Sequence, residues 1–309
     1  MPSWNEILLD VDSYIKNKFI QTLGEIGKLR DGRNVIFYAS AFLQKQYTVP
    51  AYTLMLTMED INGFMSMVHQ MDCTKGLTLL LHTPGGEMRA VQPIVEYLHS
   101  KFDSMEAIVP TYAMSAGTVI SLAADYIIMG KHSQLGPIDP QMFLPNGASV
   151  SADSVKKQFE KAIEEISKKK DRGTMLAWTP VITQIGPLYQ EAENVLKYSS
   201  DIVKNYLMAR MFRDEDNAET KAKKIAEFFK DVDKHLSHSR RIDKEVAKQV
   251  GVKIIDLESD QELQDAVLTA YHLISIIFER TTSTKILANH AGKMWIKTHI
   301  SLPSAGKPR

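Results

Sequence analysis

Three short stretches of this chain carry residues whose types and spacing suit acyl transfer. They are His82-Thr83-Pro84-Gly85-Gly86, Ala113-Met114-Ser115-Ala116-Gly117-Thr118 and Gly136-Pro137-Ile138-Asp139-Pro140. Acyl transfer needs an activated nucleophile and hydrogen-bond donors aimed at the oxygen of the tetrahedral intermediate. Ser115 is the candidate nucleophile, because it stands where a helix is expected to begin. A helix N-terminus leaves N–H groups unpaired and favours developing negative charge. Gly86 follows a strand through a Gly-Gly turn, where missing side chains leave the N–H open to approach. The N–H groups of Gly86 and Ala116 would converge as an oxyanion hole if the two preceding strands are neighbours. Each piece alone has a plainer reading. A strand–Gly-Gly–helix turn is ordinary turn chemistry or an anion site, and a strand–Ser–helix junction is an ordinary N-cap. Their order within one stretch is what points to chemistry.

The elements that must position these stretches follow from apolar spacing. Val35-Ile36-Phe37-Tyr38, Leu77-Thr78-Leu79-Leu80-Leu81, Ala107-Ile108-Val109-Pro110 and Tyr126-Ile127-Ile128-Met129 read as strands, the near-continuous run 77–81 as one buried on both faces of a parallel sheet. Helices are expected between them, near 57–71 with Ile61, Phe64, Met65 and Val68 inward, near 87–101, and over 116–124. Strand and helix thus alternate through 35–130, the pattern of right-handed βαβ crossovers. An N-terminal helix near 8–28 carries Val11, Ile15, Phe19 and Leu23 on one face.

After about residue 150 the pattern becomes helical, with helices near 153–172, 188–212 (opened by Gly186-Pro187), 218–229 and 243–250. A capping box at Ser259 and Glu262 opens another, carrying Leu263, Val267, Ala270, Ile274, Ile277 and Phe278. Residues 281–309 read as a polar tail. The expected organisation is one α/β domain over 1–309, with a core at about 35–142, a helical elaboration at about 150–280 and the tail.

Bulk composition excludes several classes. The 309 residues hold 37 basic and 37 acidic side chains, so no long-range field points to nucleic acid or an anionic membrane. The single cysteine, Cys73, excludes an internal disulfide, and no His or Cys neighbours it to make a metal site. The start of the chain is acidic rather than basic and apolar, and no apolar run approaches the roughly 18 residues of a membrane helix. A cytoplasmic protein without membrane insertion is expected. No Gly-x-Gly-x-x-Gly fingerprint, ATPase motif or flavin signature is present, so no cofactor is expected.

Taken together, the three motifs, with Ala123-Ala124-Asp125 between the second and third, resemble the serine dehydrogenase proteinase family. That family is a branch of the Clp-protease/crotonase superfamily, related to signal-peptide peptidase A. The resemblance is dense over about 76–142, weaker to about 257, and returns faintly near Lys285 to Lys297. It implies an α/β fold of stacked ββα units with a mostly parallel sheet core and C-terminal helical elaborations. It also implies a homo-oligomer and a serine endopeptidase acting on peptides or unstructured protein segments. Residue by residue, Ser115 matches the nucleophile, and Gly86 and Ala116 match the oxyanion donors. Asp139 takes the place that a histidine holds in Clp proteases. The family's Ser, Asp, His order then makes His238 the best match for the base.

The base stays open between several groups. His235 lies three residues from His238, and His132 is close to Ser115 in sequence. A lysine base, as in signal-peptide peptidase A, would come from Lys156, Lys157 or Lys161. His82 reads as a brace for the glycine turn, and Asp139 could simply cap a turn. Two other functions compete with a peptidase. A crotonase-type enzyme would use the same donors for a thioester enolate, with Glu87 as the adjacent carboxylate. A scaffold protein with a lapsed site is the third reading.

Overall fold

A computed structural model describes residues 4–143, 149–231 and 240–300. Its strands, in chain order, are β1 (Asn34–Ser40), β2 (Leu77–His82), β3 (Met105–Val109), β4 (Tyr112–Ala113), β5 (Tyr126–Met129), β6 (Gln134–Leu135), β7 (Gln141–Phe143), β8 (Ser149–Ser151), β9 (Ile254–Asp256), β10 (Ser283–Asn289) and β11 (Met294–Thr298). Seven of them form one sheet in the order β11-β10-β1-β2-β3-β5-β9. The five from β1 to β9 run parallel, and β10 and β11 add an antiparallel edge. The fold is therefore α/β with a mostly parallel central sheet.

The apolar runs became strands because both faces of the sheet are covered. Every residue of β1, β2 and β3 is buried. Alternate residues of β1 serve opposite faces. Val35, Phe37 and Ala39 join Phe19, Leu23 and Ile26 of the helix Trp4–Leu29 and Val267, Ala270 and Ile274 of the helix Gln261–Arg280 in one core cluster. Tyr38, between them, stacks on Phe64 of the helix Asp60–Val68 with ring centroids 5.9 Å apart. Full burial of such a side chain is worth roughly 1.5–3 kcal/mol, so β1 is held from both sides.

The chain divides into two compact units, one of residues up to 135 with those from 243 onward, the other of residues 136–242. The first contains the seven-stranded sheet. Within it β3, β4 and the helix Ala116–Leu122 form a ββα unit, and β4 pairs with β6 in a small parallel sheet. The second unit contains the antiparallel pair β7–β8 and the helices Ala152–Lys169, Arg172–Ala209 and Ala218–Lys230. Its core includes Met142, Ala152, Val155, Ile185 and Ala192.

Four local expectations are corrected. Residues 283–298 are two strands rather than tail, and all seven residues of β10 are buried. Their polar groups find buried partners: Asn289 Nδ2 donates to Met67 C=O at 2.9 Å and Lys285 pairs with Asp60. The helix expected near 188–212 runs instead over Arg172–Ala209, through both Pro180 and Pro187. An interior proline costs about 3 kcal/mol, and here Ile185 and Ala192 on either side of Pro187 are buried in the core and hold the helix continuous. The last long helix is capped by Asp260 rather than Ser259, with Leu263 N–H donating to Asp260 Oδ1 at 3.0 Å. Met65 is exposed, and Met67 takes its inward place.

Candidate active site

The site is built where β2 and β3 end side by side. The two strands pair in parallel from Leu77↔Met105 to Leu80↔Ile108, which meets the condition for their two turns to converge. Past their ends the pairing continues as a bridge between Thr83 and Ala113. Thr83 N–H donates to Tyr112 C=O at 2.8 Å, and Met114 N–H donates to Thr83 C=O at 3.1 Å. The Gly-Gly turn and the turn at Ser115 are therefore tied together by backbone.

Ser115 has φ 49° and ψ −117° and directly precedes the helix Ala116–Leu122. A non-glycine residue there is strained by about 1–3 kcal/mol and persists only where its surroundings impose it. Three contacts impose it. Thr118 Oγ1 donates to Ala113 C=O at 2.7 Å, Gly117 N–H to Met114 C=O at 2.8 Å, and Val119 N–H to Ser115 C=O at 3.1 Å. The Ser115 hydroxyl makes no capping hydrogen bond to the helix. The plain N-cap reading thus fails, because an N-cap serine spends its oxygen on the helix.

The glycines are required by contact as well as conformation. Gly85 has φ 93°, and a β-carbon there would lie 2.5 Å from Met114 O and 2.7 Å from Ser115 Cβ. A β-carbon on Gly86 would lie 2.2 Å from Leu56 O. Leu56 bridges Gly86 in parallel: Leu56 N–H donates to Gly85 C=O and Glu87 N–H to Leu56 C=O, both at 2.8 Å. A parallel bridge engages the groups flanking Gly86 and turns the N–H of Gly86 itself to the other side. Neither that N–H nor the Ala116 N–H, at the first helical position, donates to another backbone group among the described residues.

The other named residues fall differently. Asp139, in the second unit, is buried and accepts from Gln141 Nε2 at 2.8 Å. Its neighbour Ile138 is fastened there by Ile138 N–H to Phe229 C=O at 3.0 Å and Ser199 Oγ to Ile138 C=O at 3.1 Å. His235 and His238 lie outside the described residues. His132 packs against Gly130, and its Nε2 is buried without a partner among the described residues. His82 is buried among Phe42, Tyr112 and Tyr271, with Nδ1 2.7 Å from Thr111 Oγ1. Burial lowers its pKa to about 3, so it stays neutral and braces the end of β2.

Lys156, in the second unit, lies 3.1 Å from Glu193 and 3.8 Å from Glu160. The Glu193 hydrogen bond raises its pKa, the wrong direction for a lysine that must be neutral to accept a proton. Lys157 pairs with Asp153 at 2.6 Å. Glu87 pairs with Arg89 at 3.0 Å, and that hydrogen bond holds its carboxyl below the usual range, which makes it a poor base for enolate chemistry. Burial pushes the Cys73 thiol up, away from reactivity. Among the described residues no cluster of three His, Cys, Asp or Glu could hold a metal ion.

Sequence reasoning missed Leu56, Asp60 and Lys285. Leu56 gives no signal, because backbone pairing to Gly86 is indifferent to side chain. Lys285 had one: a lysine inside the otherwise uncharged run Ser283–Asn289 needs a buried counter-ion if that run is a strand.

Residues 11–267 match the family of ClpP-like SDH-type serine proteinases, and the chain belongs to that family. Two uncharacterized proteins of Methanocaldococcus jannaschii are similar to part of it. One is 40% identical over 96 residues, covering 31% of this chain and 33% of the relative. The other is 36% identical over 102 residues, covering 33% of this chain and 35% of the relative. The chain thus aligns with about a third of the length of the curated relatives it matches. Among solved structures, a mutant of the 1510-N membrane-bound stomatin-specific protease superposes with a TM-score of 0.39 at 17% identity, over 65% of this chain and 74% of the other. A ClpP1 mutant from Listeria monocytogenes superposes with a TM-score of 0.38 at 11% identity, over 77% of this chain and 97% of the other.

Proposed function

We propose that the chain is a serine peptidase that cuts peptides or unstructured protein segments, with Ser115 as nucleophile and Gly86 and Ala116 as oxyanion donors. The observation that carries this reading is the strained, uncapped Ser115 packed against a Gly-Gly turn whose Gly86 N–H donates to no backbone group among the described residues. Ser115 Oγ attacks the scissile carbonyl carbon while its proton passes to the base, and the carbonyl oxygen becomes an oxyanion. Collapse of the intermediate breaks the C–N bond, and the leaving amine takes a proton from the base. Water then hydrolyses the acyl-enzyme by the same route. Donors fixed in place before reaction cost no reorganisation, and one such donor is worth about 10²–10³ in rate.

His238 is the base we favour, oriented by Asp139. Its support is the Ser, Asp, His order and the salt-paired, pKa-raised state of Lys156. A histidine base requires activity to fall as pH drops through about 6.5, whereas a lysine base would let it climb into the alkaline range. The test is a pH–rate profile of ester and peptide hydrolysis for the wild type, Ser115→Ala and His238→Ala. Loss in both variants and an acid limb near 6.5 support the triad; full activity in His238→Ala sinks it.

We place the protein in the cytoplasm. Among the described residues no helix is long and apolar enough to cross a membrane. We also read it as a homo-oligomer: Leu9, Tyr14, Met175 and Leu176 are large apolar side chains between 51% and 68% exposed on the two longest helices. Sedimentation of a single monomeric species at micromolar concentration would contradict that part.

A further inference from the structure

Lys285 is one of the few buried cations, its side chain 4% exposed and its partner Asp60 fully buried. Nζ lies 2.6 and 2.8 Å from the two Asp60 oxygens. The same ammonium donates to Met55 C=O at 3.0 Å and to Thr57 Oγ1 at 3.3 Å, while Thr57 N–H donates to Asp60 Oδ2 at 2.8 Å. The pair therefore grips both residues flanking Leu56. Leu56 in turn holds Gly85 C=O and Glu87 N–H, one on each side of Gly86.

A second route runs to the same turn. Tyr38 OH donates to Asp60 Oδ2 at 3.1 Å, the buried Thr83 side chain acts on the Tyr38 hydroxyl, and Gly85 N–H donates to Thr83 Oγ1 at 3.1 Å. A hydrogen-bonded path through Leu56 and a packed one through Tyr38 and Thr83 thus connect one buried ion pair to both ends of the Gly85-Gly86 turn. The pair joins β10 to the start of the helix Asp60–Val68, elements far from Ser115 in sequence.

We propose that Lys285 and Asp60 are positioning residues that fix the direction of the Gly86 N–H through Leu56 and Thr83, and so set the oxyanion hole before substrate arrives. The inference rests on the reading of Gly86 as an oxyanion donor. Removing the charge leaves Leu56 free to shift against Gly86, and a displacement of about 1 Å at such a donor costs on the order of 10²-fold in rate. Neither residue touches the reacting atoms, so substrate binding is spared.

Lys285→Met tests this directly. A second variant cuts the path at its far end and keeps both Lys285 and Asp60: Glu87→Pro deletes the N–H that Leu56 accepts, at a residue whose φ of −67° already suits proline. Two readouts are taken on the full chain: the labelling rate of Ser115 by a fluorophosphonate, per folded molecule, and hydrogen exchange of peptides spanning 54–57 and 85–87. The proposal predicts labelling slowed 10- to 100-fold in both variants, ester kcat lowered with KM within twofold, and faster exchange in both segments. Lys285→Arg, which keeps the cation, should recover part of the rate. Labelling per folded molecule equal to wild type in both variants overturns the clamp and leaves the Ser115 reading standing. A wild type that takes no label contradicts the Ser115 reading itself, whatever the exchange shows.

Discussion

At the scale of single residues, the backbone of Ser115 carries more information than its side chain. Its φ of 49° with ψ of −117°, outside the left-handed helical region, is a cost that a merely capping serine has no reason to bear. Ser115→Gly should therefore abolish activity and melt at a higher temperature than Ser115→Ala, by about 1 kcal/mol of relieved strain, as checked by calorimetry. His82 makes a second prediction. Its folded pKa of about 3 lies far below the ordinary 6.5. Between those values the unfolded chain binds a proton that the native state refuses, so stability is full above pH 6.5 and is lost as pH falls towards 3. The whole interval amounts to about 5 kcal/mol at most. Denaturant titrations of His82→Gln should lose most of that slope; an unchanged slope would place the acid sensitivity elsewhere. The sequence pointed to Ser115 and Gly86 because small residues must surround a close backbone approach. It was mute on Leu56, which acts through its backbone alone.

At the scale of elements, the turn, the Ser115 helix and the strand before each form one fitted piece. The strongest steric demand in it is at Gly86, where a methyl group would lie 2.2 Å from Leu56 O. Gly86→Ala must push Leu56 away and lose the bridge. Hydrolysis at least 100-fold below wild type is expected while far-UV circular dichroism persists, in line with about 10²–10³ for one oxyanion donor. Near-normal rates in a folded Gly86→Ala protein would remove Gly86 from the site. The parallel strands were legible because burial on both faces writes continuous apolar runs such as 77–81. β10 was not legible. Its Ser, Thr, Lys and Asn read as surface, and only the fold supplies Asp60 and Met67 C=O to satisfy them. The helix Arg172–Ala209 was misjudged for the converse reason, since its prolines spoke louder than the packing on either side.

At the scale of the whole molecule, the first unit is closed by segments from both ends of the sequence. The helix Trp4–Leu29 packs against the helix Gln261–Arg280 over one face of the sheet, while β10 and β11 complete its edge. Truncation after Thr281 removes two of the seven strands and exposes all of β1 along one side. Such a protein should be recovered mainly as aggregate, since an uncovered apolar strand edge pairs with other chains. A soluble, cooperatively melting truncation would show that the C-terminal strands are dispensable. In the second unit Asp139 accepts from Gln141, and Phe229 and Ser199 fasten its neighbour Ile138. Ser115 and Asp139 stand only 24 positions apart in sequence, and the fold assigns them to different units. The base we favour arrives from a third stretch of chain. Membership of this family makes serine chemistry at Ser115 the property to test, by covalent labelling. Purified protein is treated with a fluorophosphonate probe and digested, and the modified peptide is located by mass spectrometry. One adduct is expected, on Ser115, absent from Ser115→Ala and from heat-unfolded protein. No adduct on native wild-type protein, or equal labelling of Ser115→Ala, would contradict it.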